Sequence, residues 1–180
     1  RSSYFRQAHE FAAMKLELPS DSSSLLAYAL NIYHDLSAFH SGDKDPGALI
    51  DEEIHRFQFL KENSIISGKD SLYLDALKKL EQTYLASPFS TDVTYAIASF
   101  LKEQGSLYHP ENSQKYKWSL KEALDNCNQA IKRFPQSTGA GNCKLLAVEI
   151  GKPSLQVQAE YAVVPQKPSL SLIEFRNIKT

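Results

Sequence analysis

The chain has 180 residues, 42% of them apolar and 23% charged, with a formal net charge of −1. That is the balance of an ordinary globular chain, long enough for one domain or for one domain and part of another. A near-neutral charge argues against nucleic acid or an anionic membrane as the main partner, because both select a basic face. The apolar stretches fall far short of the roughly 20 residues that span a bilayer.

The chain opens Arg1-Ser2-Ser3-Tyr4, without Met and without an apolar signal region, and so reads as a mature chain or an excised piece. Apolar residues at Tyr4, Phe5, Ala8, Phe11, Ala12 and Leu16 recur near the helical period and predict a first helix, ended by Pro19. Ser20 to Ser24 is an N-cap cluster for a second helix, Leu25 to Phe39. Its stripe of Leu25, Leu26, Ala29, Ile32, Tyr33, Leu36 and Phe39 is expected in the core. A third helix is expected from about Ala48 to Glu62, its early acids Asp51, Glu52 and Glu53 suiting the positive helix start. A fourth is expected over Asp70 to Ala86, before Ser87-Pro88. Ser90-Thr91-Asp92 caps a fifth, Val93 to Gln104, ended by Gly105. A long sixth helix is expected from about Ser113 to Phe134, stopped at Pro135, and a seventh from Thr138 to Ile150.

The texture changes at Gly151-Lys152-Pro153. Leu155, Val157, Ala159 and Tyr161 alternate with Gln156, Gln158 and Glu160, the period of a half-buried strand. A second strand follows Pro168, with Leu170, Leu172 and Glu174 on one face or Ile173 and Phe175 on the other. Two strands are marginal alone, so the expectation is a piece of a longer protein in which a β-domain continues. The fold class is therefore mainly α: an antiparallel helix-hairpin repeat or bundle of about seven helices over 1–151, then a β segment over 152–180.

Ala76, Leu80 and Pro88 lie 47 residues before Ala123, Cys127 and Pro135, at the same intervals. A small residue, a large one four later and a helix-stopping proline describe the second helix of a tetratricopeptide-like hairpin. Ile97, Ala98, Leu101 and Gly105 fit the first helix of one such unit. Ala123, Cys127, Ala130 and Pro135 fit its second after an insertion of 13 residues around Leu107 to Leu120. The earlier unit fits only through Ala76, Leu80, Thr83 and Pro88.

Several stretches together carry a resemblance. They are Leu26-Ala27-Tyr28-Ala29-Leu30-Asn31-Ile32-Tyr33 with Asp35-Leu36, Asp70 to Leu77, Ala130 to Ser137, and the tail Glu174-Phe175-Arg176-Asn177-Ile178. They resemble the helical region near the N-terminal part of large alpha-2-macroglobulin-like proteins of Bacteroidetes bacteria. The resemblance implies that Pro153 to Thr180 opens a macroglobulin-like β-sandwich domain. It further implies an extracytoplasmic, envelope-associated protein, often a lipoprotein anchored through a part outside this sequence, and thought to trap peptidases. The Cys-Gly-Glu-Gln run of thioester-bearing members is absent, since Cys127 precedes Asn128 and Cys143 precedes Lys144.

Cys127 and Cys143 flank Pro135, eight residues on either side. In an antiparallel helix pair such positions face each other, within reach of a disulfide. In an oxidising envelope a bridge and two buried thiols are both open readings. Glu52-Glu53-Ile54-His55 holds a lone Glu-x-x-His, where a di-iron bundle needs two, so it reads as a solvated acidic helix start. Asp43, Asp45, Gly47 and Asp51 hint at a calcium loop, but Ala48 and Ile54 stand where an EF-hand needs glycine and glutamate. His9, His34, His40 and His109 read as surface or satisfied core histidines. No nucleophile elbow and no phosphate loop is present. Tyr116 and Trp118 in the insertion are candidate partner anchors, although a tryptophan packing an extended helix pair is the preferred reading.

The expectation is a non-enzymatic scaffold or docking region with no cofactor. Its partners are other domains of the same polypeptide, with peptidases or envelope proteins beyond them. The rival is an independent peptide-binding repeat domain, which a groove lined by exposed Asn, Lys or Arg would favour. A groove filled by the chain's own tail would favour the scaffold.

Overall fold

The structure, a computed structural model, describes residues 1–16, 24–109, 113–162 and 165–178. Among these the chain forms a 3-10 turn at Ser2–Phe5 and seven α-helices: α1 Ala8–Ala12, α2 Leu25–His40, α3 Gly47–Asn63, α4 Lys69–Thr83, α5 Ser90–Ser106, α6 Ser119–Arg133 and α7 Thr138–Gly151. Strands β1 Ser154–Ala159 and β2 Ser171–Arg176 follow. Each helix packs on its neighbour in sequence, and α5 also touches both α3 and α7. Alternate helices α3, α5 and α7 thus share one side of the molecule. The mainly helical, hairpin-built class is as expected.

The core is one cluster running through the chain. Ile97, Ala98 and Leu101 of α5 are buried, as are Ala123, Cys127 and Ala130 of α6 and Ala76 and Leu80 of α4. These are positions that carry the tetratricopeptide-like pattern. Thr83 departs from it and is exposed.

The expected first helix, Tyr4 to Leu16, is broken instead at Arg6, whose backbone is extended (φ −69°, ψ 159°). The backbone groups that a continuous helix would use are bonded elsewhere. The carbonyls of Tyr4 and Arg6 accept from Arg56, and the Ala8 amide donates to Glu53. The Pro19 stop and most of the Ser20 to Ser24 cap lie outside the described residues. Ser24 itself caps α2 by accepting from the Ala27 amide.

Helix α2 does not bury its wide stripe. Leu25 is 82% and Phe39 74% exposed, and Leu26, Ile32 and Leu36 also reach solvent. The reason is neighbours: among the described residues α2 packs mainly on α1 and α3, so Leu30 and Ser37 are buried and the other flank meets none of them.

Helix α4 stops at Thr83, before the expected Ala86, where Tyr84 leaves helical geometry (φ −110°, ψ 22°). Gly105 does not end α5. It lies inside the helix because Leu120 occupies the space of its absent side chain, with Leu120 Cγ 2.6 Å from where a Cβ would stand. The sixth helix starts at Ser119 rather than Ser113. Tyr116 takes a positive φ of 67°, which an α-helix does not accommodate, so the inserted residues described here form a connection.

The strands pair antiparallel, with Leu155 opposite Phe175 and Val157 opposite Ile173. Opposed residues share a face, so Ile173 and Phe175, rather than Leu170 and Leu172, complete the apolar side. Asn177, in the left-handed region at φ 55°, donates from Nδ2 to the carbonyls of Ile150 at 2.8 Å and Lys152 at 3.3 Å. That side chain ties the hairpin to the end of α7.

Candidate functional site: a groove backed by a buried ion cluster

Helices α3, α5 and α7 enclose a cleft of about 450 Å³, within the usual size of ligand pockets. Helix α3 contributes Asp51, His55, Gln58 and Lys61, α5 contributes Asp92, Tyr95, Ser99 and Glu103, and α7 contributes Asn142. No residue of the strands lines it. The spacing 51, 55, 58 and 92, 95, 99 is one face of a helix each time. That face is polar because the opposite one, with Phe57, Leu60, Ile97 and Leu101, packs the core.

The two ends of the cleft differ. At one, Lys61 Nζ lies 3.2 Å from Glu103 Oε2 and over the rings of Phe100 and Tyr73, at 4.5 and 5.2 Å. Its charge is thus committed. At the other stand Asp51 and Asp92. The His55 ring lies 3.9 Å from Asp51 Oδ1, too far for a hydrogen bond. Burial, and then the charge of Asp51, hold the Asp92 carboxyl above its ordinary range, with its own backbone amide pulling back. Gln58 donates its amide to Glu62. Ser99 Oγ is buried without a hydrogen-bond partner among the described residues.

Behind the groove is a feature that sequence reasoning placed in solvent. Glu52 and Glu53 are buried, with side chains 4% and 1% exposed, while Asp51 beside them is 76% exposed. Between them Arg56 is fully buried, held between the rings of Phe11 and Phe57 at 4.3 and 4.6 Å. Its Nη1 donates to Tyr4 O at 2.6 Å, and Nη2 donates to Arg6 O at 2.9 Å and Glu53 Oε1 at 3.0 Å. Nε lies 3.3 Å from Glu52 Oε1 but off the line of a hydrogen bond. Ser37 donates to the same carboxyl, whose other oxygen has no partner among the described residues. The solvated-acid reading of Glu52 and Glu53 is therefore corrected. A signal was present: Glu53 lies four residues before Phe57 and three after Ile50, on the apolar stripe itself.

Two carboxylates share one guanidinium away from water. Burial raises both carboxyls, most of all Glu53, pushed up to about 7, with Arg56 and the Ala8 amide pulling back. A raised carboxyl means that the folded state binds a proton where the unfolded chain does not. Stability should therefore fall as pH rises from about 4.5 to about 7, by on the order of 1–3 kcal/mol. Glu53→Gln removes that proton, so urea titrations should show a shallower decline across this window than in the parent. An identical slope would place the titration elsewhere.

The other candidates are placed as follows. Cys127 on α6 and Cys143 on α7 are fully buried free thiols. The interaction between them lowers the Cys127 thiol, and together with burial it raises that of Cys143. In protein purified with reductant, an alkylating reagent should leave both unmodified in native buffer and modify both in guanidinium. Reaction of either in native buffer contradicts the packing, and masses taken with and without reductant decide whether the pair is ever bridged. Trp118 is 67% exposed and does not pack a helix pair. With Lys121, Asp125 and Gln129 it borders a shallow depression on α6, away from the cleft, and Tyr116 lies beyond its rim. Asp43 bonds His40 at 2.7 Å, Asp45 caps the Gly47 amide at 3.0 Å, and His34 bonds Met14 O at 3.0 Å. Among the described residues no group of three or more His, Cys, Asp and Glu is placed to hold a metal ion. No helix there is long and apolar enough to cross a membrane.

These features define a helical-hairpin fold with a groove of mixed polar and apolar lining on one side and a β-hairpin at one end. The chain matches no family model, no curated protein and no solved structure.

Proposed function

We propose that this chain is a non-catalytic scaffold and protein-interaction region of a larger alpha-2-macroglobulin-like envelope protein. Its helices act as a spacer that presents β-structure, with peptidases or other envelope proteins as partners of the whole polypeptide. The observation that carries the reading is the uncovered face of the hairpin. Leu155, Val157, Ile173 and Phe175 stand on one side of a two-stranded sheet, 56–69% exposed. A two-stranded sheet with a bare apolar face is marginal in water. A second sheet laid over it, as in a β-sandwich, would bury those four side chains.

The test is the coding sequence after Thr180. An open frame encoding successive modules of about 100 residues rich in short strands supports the reading, and a stop codon overturns it. If the frame continues, hydrogen exchange at 154–159 and 171–176 should slow when the next module is included.

The groove favours the rival function alongside this one. Its described lining contains no residue of the chain's own tail, so it is open to a peptide. Its polar residues are not the Asn, Lys and Arg set expected, however: Asn142 and Lys61 are present, but acids outnumber them.

A further inference from the structure

We propose that the cleft between α3, α5 and α7 docks a basic extended peptide segment, with Asp51 and Asp92 receiving a lysine or arginine side chain. This rests on the groove being a peptide site and adds the chemistry of its occupant. Charge complementarity decides the class. Three carboxylates, Asp51, Asp92 and Glu103, line the cleft against one ammonium, Lys61, already paired with Glu103, and the His55 imidazole, 3.9 Å from Asp51. Asp51 and Asp92 repel each other across the cleft, and among the described residues no lysine or arginine pairs with either. Asp92 is only partly exposed, so its field is less screened than that of the solvent-facing Asp51, and the concave wall draws in the opposite charge. An incoming cation relieves the repulsion, whereas an acidic segment adds to it.

The remaining lining suits a peptide rather than a bare ion. Tyr95, between the helix faces, offers an aromatic surface for the aliphatic stem of a long cationic side chain. Asn142, on the facing helix, has an amide able to both donate to and accept from a peptide backbone. Ser99 lines the same wall, with its Oγ beneath the surface and without a hydrogen-bond partner among the described residues. A divalent ion would need oxygen ligands in numbers that this end of the cleft does not bring together.

The experiment uses the whole chain and three dye-labelled nonapeptides, alternating Lys-Ala, Glu-Ala and Gln-Ala, in fluorescence anisotropy at low salt. The lysine peptide should bind, and about tenfold or more tightly than the other two. Asp51→Asn with Asp92→Asn should cost about tenfold in that affinity. The charge-matched control Asp75→Asn with Asp125→Asn, outside the cleft, should stay within about twofold. The Asn pair removes a repulsion together with two acids near helix starts, opposing effects of similar small size, so its melting temperature should stay close to the parent's, which separates lost binding from lost folding. Equal binding of all three peptides, or parental affinity in the Asn pair, overturns the basic-segment proposal but leaves a peptide groove. No binding of any peptide up to about 1 mM, a free energy of about −4 kcal/mol, overturns both.

Discussion

Replacing Arg56 with methionine should destabilise the protein by about 3–5 kcal/mol at pH 7.5, the usual result of removing one partner from a buried charged group. For a chain of this size that is roughly 6–20 °C in melting temperature. Volume is nearly kept and the side chain still fits between Phe11 and Phe57, so the loss is electrostatic. Glu52 and Glu53 remain buried without a cation, and the carbonyls of Tyr4 and Arg6 lose their donors.

Two further readouts separate this mechanism from a general packing defect. The deficit should shrink toward pH 5, because protonating the two raised carboxyls removes the unpaired charge. Hydrogen exchange should quicken first in residues 4–12, which the cluster holds against α3. Arg56→Lys should fall between parent and Arg56→Met, since a single ammonium keeps the charge but lacks the fork that donates to three oxygens. A methionine variant as stable as the parent at pH 7.5 would show that the cluster contributes little net stability.

The second large effect belongs to Gly139. A methyl group there would stand 2.2 Å from the carbonyl carbon of Thr91 and 2.4 Å from the amide nitrogen of Asp92. Both atoms are backbone in the first turn of α5, so no rotamer change relieves the clash, and α7 must move away from α5. Gly139→Ala should cost about 3 kcal/mol, the upper end of overpacking penalties. Gly141 lies two residues on in the same helix, with open space around it. Gly141→Ala should stabilise by about 0.5–1 kcal/mol through helix propensity alone. Chemical denaturation of the two variants reads both signs, and a Gly139→Ala protein as stable as Gly141→Ala would mean that α7 is not seated on α5. Because Asp92 and Asn142 flank that contact, Gly139→Ala should also weaken the lysine peptide by distorting the cleft.

Gly139 and the cluster around Arg56 illustrate where the sequence says little, the place of Glu53 on the apolar stripe being its one signal. Thr138-Gly139-Ala140-Gly141 reads as a helix start with two interchangeable glycines, and only the approach of α5 distinguishes them. Glu52-Glu53 reads as an acidic first turn, and only the N-terminal segment, some 50 residues earlier, turns it inward. The groove was less hidden. Its lining follows from the faces opposite the buried Ile97-Ala98-Leu101 and Phe57-Leu60 stripes, although its acidic character emerges only when α3 and α5 are set side by side.

By itself the sequence determined the local facts. Seven helical segments and two strands, and the buried register of Ala76, Leu80, Ala123, Cys127 and Ala130, follow from period and from turn residues, which act over a few positions. The tertiary structure alone decided which apolar stripes found a neighbour, so that α2 leaves Leu25 and Phe39 in solvent. It also decided where a glycine ends a helix and where it admits another, and which charges are taken out of water. Periodicity records which side of a helix is apolar. It does not record what lies against that side, and burial, pKa and groove charge depend on that second fact.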